Sequence, residues 1–242
     1  MIITDRSGQT ELFCPVKIKR VFPEGEIREE EDLVISEHLL QIVCGELRMQ
    51  VVCTPQDLKE LVAGRLFSEG LITSCDDIEK LELSEDGAAA EVVLTGEITE
   101  PGELRPVPSH SFTAQDVFDA AQHFSKGSAI HKKTAGTHSC MLAGREGRIF
   151  TAREDISRHN AMDKALGAAL LQGISLSETA LFTSGRVPTD MMYKVIRAGI
   201  PLLISKSVPT VQSVQLAERY GLTLVTSAWP DNFRLVSGYM NT

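Results

Sequence analysis

Leu181-Phe182-Thr183-Ser184-Gly185-Arg186-Val187-Pro188 opens the stretch that decides the fold, and Leu202-Leu203-Ile204-Ser205-Lys206-Ser207-Val208-Pro209-Thr210 repeats its logic twenty residues on. In each, a short apolar run ends in a polar turn, and proline or threonine then starts a helical pattern. The helical pattern of residues 188–198 stops at Gly199, and that of residues 210–220 stops at Gly221, the position where a glycine best closes a helix. A third apolar run follows at Leu222–Val225, and residues 233–236 make one more. Strands alternating with helices of this length predict a largely parallel sheet with helices on both faces.

Upstream, Cys140–Leu142 and Arg148–Ala152 read as strands around the turn Gly144-Arg145-Glu146-Gly147. A helix is expected from Asn160 to Leu171, with Met162, Leu166, Ala169 and Leu170 inward. Thr113 opens another, with Asp116 in capping position and Val117, Ala120, Ala121 and Phe124 on its apolar side. Residues 95–111 carry three prolines and two glycines without periodicity, and are read as a boundary. The division is 1–108, a smaller α+β part, and 109–242, an α/β domain. The first part is expected to hold a hairpin at His38–Cys53 turning at Gly45, and a second at 78–94 turning at Gly87. Between them lies a helix capped by Thr54, started by Pro55, faced by Leu58, Leu61, Val62 and Leu66, and closed by Gly70.

Apolar residues make up 43% of the 242 and charged residues 24%, which fits an ordinary globular chain. With 24 basic and 33 acidic residues the net charge is −9, so a general footprint for nucleic acid is missing. No stretch has the roughly 20 apolar residues of a membrane span. The first five residues turn polar too early for a signal peptide. A cytoplasmic protein is expected. The five cysteines, an odd number with no C-x-x-C pair, argue against a disulfide framework or a structural zinc site.

Ligands of an open α/β sheet bind beyond the carboxyl ends of its strands. Three segments qualify. Arg153-Glu154-Asp155-Ile156-Ser157-Arg158-His159-Asn160-Ala161-Met162-Asp163-Lys164 packs seven ionisable residues into twelve. Charge this dense is either a solvated face or an anion pocket, with Arg158 and Lys164 towards a phosphate. Ser184, Gly185 and Arg186 sit at the second strand end, and Lys206 at the third. The loop Ser227-Ala228-Trp229-Pro230-Asp231-Asn232 holds the single tryptophan, a stacking surface for a base or pterin. Neither a G-x-G-x-x-G nor a P-loop pattern occurs. Cys140 is the best candidate for a reactive thiol, because His138 shares its strand face and His131, Lys132 and Lys133 lie close upstream.

The twelve-residue segment resembles the R-E-D-x-x-R-H-N-A-x-D-K signature of the FdhD/NarQ family. Thr183-Ser184-Gly185-Arg186, Ala198-Gly199-Ile200-Pro201, Cys53-Thr54-Pro55 and Leu66–Ile72 extend the likeness over residues 15–238. The resemblance implies an α/β/α sandwich similar to cytidine deaminase and a homodimer. It also implies an accessory role for formate dehydrogenase, in which sulfur from a cysteine desulfurase passes to a molybdenum or tungsten bis-molybdopterin guanine dinucleotide. It places His159, Arg158, Lys164, Ser184–Arg186, Lys206 and Ser227–Asn232 around that cofactor. The family's sulfur-carrying cysteine stands in a C-G-x-C-type loop, but residues 94–105 here contain no cysteine. Two readings follow: sulfur transfer through Cys140, or cofactor binding and delivery with no covalent step. A zinc deaminase is not expected. His159 is followed two residues on by Ala161 rather than glutamate, and Gly185–Asp190 lacks cysteine, so no metal is expected.

Overall fold

Why the chain builds two large sheets and a separate two-stranded ribbon is visible in its connections. A computed structural model describes residues 1–5, 7, 10–98 and 101–241. The order is β1 (Ile2–Asp5), β2 (Phe13–Val21), β3 (Ile27–Ile35), β4 (His38–Cys44), β5 (Leu47–Cys53), α1 (Leu58–Ser68), β6 (Ile78–Leu83) and β7 (Ala89–Leu94). Then come α2 (Ala114–Lys126), α3 (Ala129–Thr134), β8 (His138–Ala143), β9 (Ile149–Asp155), α4 (Arg158–Leu171), β10 (Ala180–Thr183), α5 (Thr189–Arg197), β11 (Leu202–Ser205), α6 (Val211–Tyr220), β12 (Thr223–Thr226) and β13 (Arg234–Ser237).

The second half forms a six-stranded sheet in the order β13-β12-β11-β10-β8-β9. Its parallel pairs are β10–β11 and β11–β12. The other three pairings are antiparallel. The expectation of a largely parallel sheet is thereby corrected to a parallel centre with antiparallel flanks. Parallel neighbours need a long crossover. Only α5 and α6 provide one between adjacent strands, whereas β8–β9 and β12–β13 are joined by short loops.

Alternate residues of these strands face different layers. Cys140, Leu142, Leu181, Leu203 and Leu224 pack with α4, α5 and α6. Met141, Phe182, Ile204 and Val225 pack with Val117, Ala121 and Phe124 of α2. The result is a mixed α/β sandwich, with α2 on one face and three helices on the other. The first half forms a five-stranded sheet, β1-β6-β7-β4-β5, whose inner residues Leu40, Ile42 and Leu81 belong to the same core as α4.

α1 joins the halves by crossing α4 at two glycines. A Cβ on Gly64 would lie 1.7 Å from the carbonyl oxygen of Asp163, and one on Gly167 would lie 1.9 Å from that of Glu60. Only glycine permits backbones this close. Sandwiched between α1 and the sheet, α4 is buried all round from Asn160 to Ala169 rather than on one apolar side.

The capping box at Thr113 and Asp116 forms as expected, with the Asp116 carboxylate accepting the Thr113 N–H at 2.8 Å. The expected cap at Thr54 does not form. α1 starts at Leu58, and Asp57 precedes it in a left-handed conformation without a side-chain cap bond. Thr54 is diverted into the core, where its N–H donates to Asp155 at 2.9 Å and its hydroxyl accepts from Lys164 at 2.7 Å. The sequence reading also passed over β1, the exposed ribbon β2–β3 and the short helix α3.

Candidate functional site

A cavity of about 610 Å³ opens at the carboxyl ends of β10 and β11, between them and α3. Its floor is set by tight backbone. The Ser184 hydroxyl accepts the Ser139 N–H at 3.0 Å and sits 3.2 Å from His138 Nδ1. Ser139 in turn bonds Ser128 through their hydroxyls at 2.7 Å. Lys206 forms one wall, its Nζ lying 5.2 Å from the Phe124 ring centroid and 5.3 Å from that of Trp229. Such aromatic faces attract a cation. His131 and Lys132 of α3 form the opposite wall.

In a chain of net charge −9, this cavity is lined by two lysines, two histidines and no carboxylate. Glu154, which neighbours it, is consumed elsewhere. It accepts the N–H groups of Ile130 and His131 at 3.0 and 2.9 Å and the Thr137 hydroxyl at 2.9 Å, and so fastens α3 in place. α3 is flanked by two non-glycine residues in the left-handed region, Ser128 (φ 61°) and Ala135 (φ 51°). Burial pushes the Lys206 ammonium below its ordinary range. Burial, followed by the charges of Arg158, His131 and His159, pushes His138 down as well.

Of the residues predicted from sequence, Ser184, Lys206 and Trp229 line the cavity. Arg158 lies just behind it, against Gly185, where a Cβ would come within 3.0 Å of the arginine side chain. The Arg158 Nε is buried with no hydrogen-bond partner among the described residues. His159 turns to Asp190, at 2.7 Å. Arg186 is exposed outside the cavity lining. In the loop after β12, the Ser227 and Ala228 N–H groups donate to Ser207 and Ser205, and the Trp229 N–H donates to Asn232, a turn that aims Trp229 at the cavity. Pro230, Asp231 and Asn232 are exposed and outside the lining.

Two predictions are corrected. Lys164 faces no cavity: it is fully buried, 2.7 Å from Asp155, and it bonds Thr54 as well. A lysine on a helix enclosed on both sides has no route to solvent, and the core supplies its counter-charge. Cys140 is fully buried among α4 and the sheet, and burial pushes its thiol far up, away from the thiolate form. His138 shares its strand face but turns to Ser184. Of the four residues that the sequence sets beside Cys140, His131, Lys132 and His138 line the cavity instead, with Phe124 and Ser139, and Lys133 does not. The cluster of His131, Lys132, Lys133 and His138 without an intervening acid was the available signal.

Among the described residues, no group of three or more histidine, cysteine or acidic side chains is placed to hold a metal. Within the cysteine-free segment, Gly102 lies away from the cavity lining and accepts from Arg197, at the end of α5, at 3.3 Å.

Fold and site together define a mixed α/β protein with a cavity at the carboxyl edge of its parallel strands that is lined by lysines and histidines and no carboxylate. Comparison with known proteins makes this specific. The FdhD/NarQ family model matches residues 35–105 and 96–241, and the chain belongs to that family. It is 32% identical over 234 residues to the sulfur carrier protein FdhD of Methanothermobacter thermautotrophicus, covering 88% of this chain and 93% of that protein. It is also 32% identical over 250 residues to its namesake in Bacillus pumilus, covering 91% and 95%. A crystal structure assigned to a formate dehydrogenase accessory protein of Desulfotalea psychrophila superimposes with a TM-score of 0.85 at 28% identity, over 94% of this chain and 98% of that one.

Proposed function

We propose that this chain is a formate dehydrogenase accessory protein that binds the guanine-nucleotide end of a molybdenum or tungsten bis-molybdopterin guanine dinucleotide and delivers that cofactor, its cargo, to the enzyme. The observation that carries the reading is the carboxylate-free cationic cavity with Trp229 and Lys206 at its edge. Its volume is within the roughly 300–1,000 Å³ of small-molecule sites. A phosphate needs charge-assisted donors, which Lys206, Lys132 and the histidines supply. A purine needs an aromatic face, which Trp229 supplies.

The resemblance that names this role adds a homodimer and a cysteine desulfurase as sulfur donor, and the proposal includes a cytoplasmic setting. No helix among the described residues is long and apolar enough to cross a membrane.

The test is calorimetric titration with di(guanosine-5′) pyrophosphate, a soluble stand-in for the nucleotide end. Wild-type protein binds it. Lys206→Ala weakens binding by about tenfold, the worth of one charge-assisted hydrogen bond. Equal affinity in wild type and variant removes Lys206 from the site. Sulfur transfer is the second reading, favoured by the name of the relatives. Its measurement is mass spectrometry after incubation with a cysteine desulfurase and cysteine. Cys14 is the exposed cysteine and Cys75 a partly exposed one, whereas Cys44, Cys53 and Cys140 are buried. A persulfide on neither Cys14 nor Cys75 leaves delivery without a covalent step.

A further inference from the structure

We infer that His138 is a ligand-binding residue of the cavity, and that it takes up a proton when an anion enters. The inference rests on reading this cavity as an anion site and adds a residue and a proton to it.

Charge is distributed unevenly around the His138 ring. Arg158 and His159 of α4 and His131 of α3 are close enough for their charge to disfavour a proton on His138. Lys132 and Lys206 stand in the same cavity lining. Every neighbouring carboxylate is already engaged. Asp155 lies opposite His138 in the β8–β9 register but holds Lys164 at 2.7 Å and accepts the N–H groups of Thr54 and Ser157. Glu154 is tied to α3 and Thr137. Asp190 on α5 is tied to His159. His138 therefore sits half-buried near Arg158, Lys132 and Lys206 without a free counter-charge, which disfavours its charged form while the cavity is empty. Its Nδ1 is fixed on the Ser184 hydroxyl. An anion in the cavity supplies the missing counter-charge and favours the imidazolium.

The sign follows. The group's pKa is depressed in the free protein and rises in the complex. Between those two values, binding consumes a proton, and affinity falls as pH rises, by up to about tenfold per pH unit. Below the free value and above the bound value the dependence vanishes.

Di(guanosine-5′) pyrophosphate suits the test, because its pyrophosphate is esterified at both ends and keeps no proton that titrates near neutrality. Calorimetry in two buffers of different ionisation enthalpy counts the protons. The expected result is net uptake near neutral pH in the wild type, and none with His138→Gln. Binding without uptake in the wild type, or equal uptake in both proteins, overturns the inference. If the nucleotide does not bind, the histidine ring protons are followed by NMR across pH in sulfate and in chloride at matched ionic strength. A raised His138 titration in sulfate then keeps the proton-coupled anion site while the nucleotide reading falls. An unmoved titration overturns the inference itself.

Discussion

Cys140 and Lys164 carry the most reactive side chains in their neighbourhoods, and burial disarms each in a different way. The thiol loses its charged form, because a thiolate in an apolar layer has no solvation. Cys14, on the exposed ribbon, keeps ordinary access. Alkylation followed by peptide mass spectrometry should therefore label Cys14 at least about a hundredfold faster than Cys140, whose exposure needs a large opening of the core. Comparable rates would return Cys140 to consideration as a carrier. The lysine is instead paired with Asp155 inside the core. Lys164→Ala leaves that carboxylate buried and unpaired. The expected cost is about 3–5 kcal/mol, seen as a lower denaturation midpoint with unchanged slope. The composition of residues 153–164 left a solvated face and an anion pocket open, and the core pairing of Lys164 was neither. Arg158 and His159 ended near the cavity and Lys164 inside the protein, because α4 rotates successive residues about its axis and is enclosed from Asn160 onward.

At the scale of elements, legibility followed local chemistry. Turns marked by Gly45, Gly87, Gly199 and Gly221 sit in the left-handed region that glycine favours, and every element they bound was predicted. The ribbon was illegible because it has no core face to impose a period: Lys17, Lys19 and Arg20 on β2 and Glu29 and Glu31 on β3 are all exposed. α3 was illegible for another reason. Six residues do not sustain a helix alone, and it is held by the Glu154 carboxylate on its first N–H groups. Glu154→Gln keeps the shape and removes the charge. Hydrogen exchange over residues 128–137 should then quicken, with the rest of the sheet unchanged, and an unchanged segment would show that α3 is held by packing alone. The α1–α4 crossing makes a second demand. Gly64→Ala places a methyl group where the Asp163 carbonyl stands, and either helix must retreat. About 3 kcal/mol or more of stability should be lost, beyond the 1–3 kcal/mol typical of overpacking, because the obstacle is backbone.

The whole molecule turns on the same crossing. The boundary read at residue 108 separates two sheets, yet it does not separate two cores. Leu40, Ile42 and Leu81 of the first sheet belong to one apolar cluster with Leu142, Leu181 and Leu203 of the second, through α1 and α4. A second tie is polar. Asp163 of α4, fully buried, accepts the Ser68 hydroxyl from α1 and the Lys194 ammonium from α5, each at 2.7 Å, and pairs in charge with Arg65 of α1 at 3.0 Å. Losing the first half would strip α4 of one side and leave Asp163 with part of its donors, a cost the second half would have to bear alone. The two parts should therefore unfold together. Trp229, the single tryptophan, reports the second half by fluorescence, and circular dichroism reports the secondary structure of both. Coincident urea midpoints by the two probes are the expected result, which is the behaviour of one cooperative unit. A circular-dichroism loss that precedes the tryptophan transition would mean that residues 1–108 melt first, and that the shared core contributes less than its continuity implies.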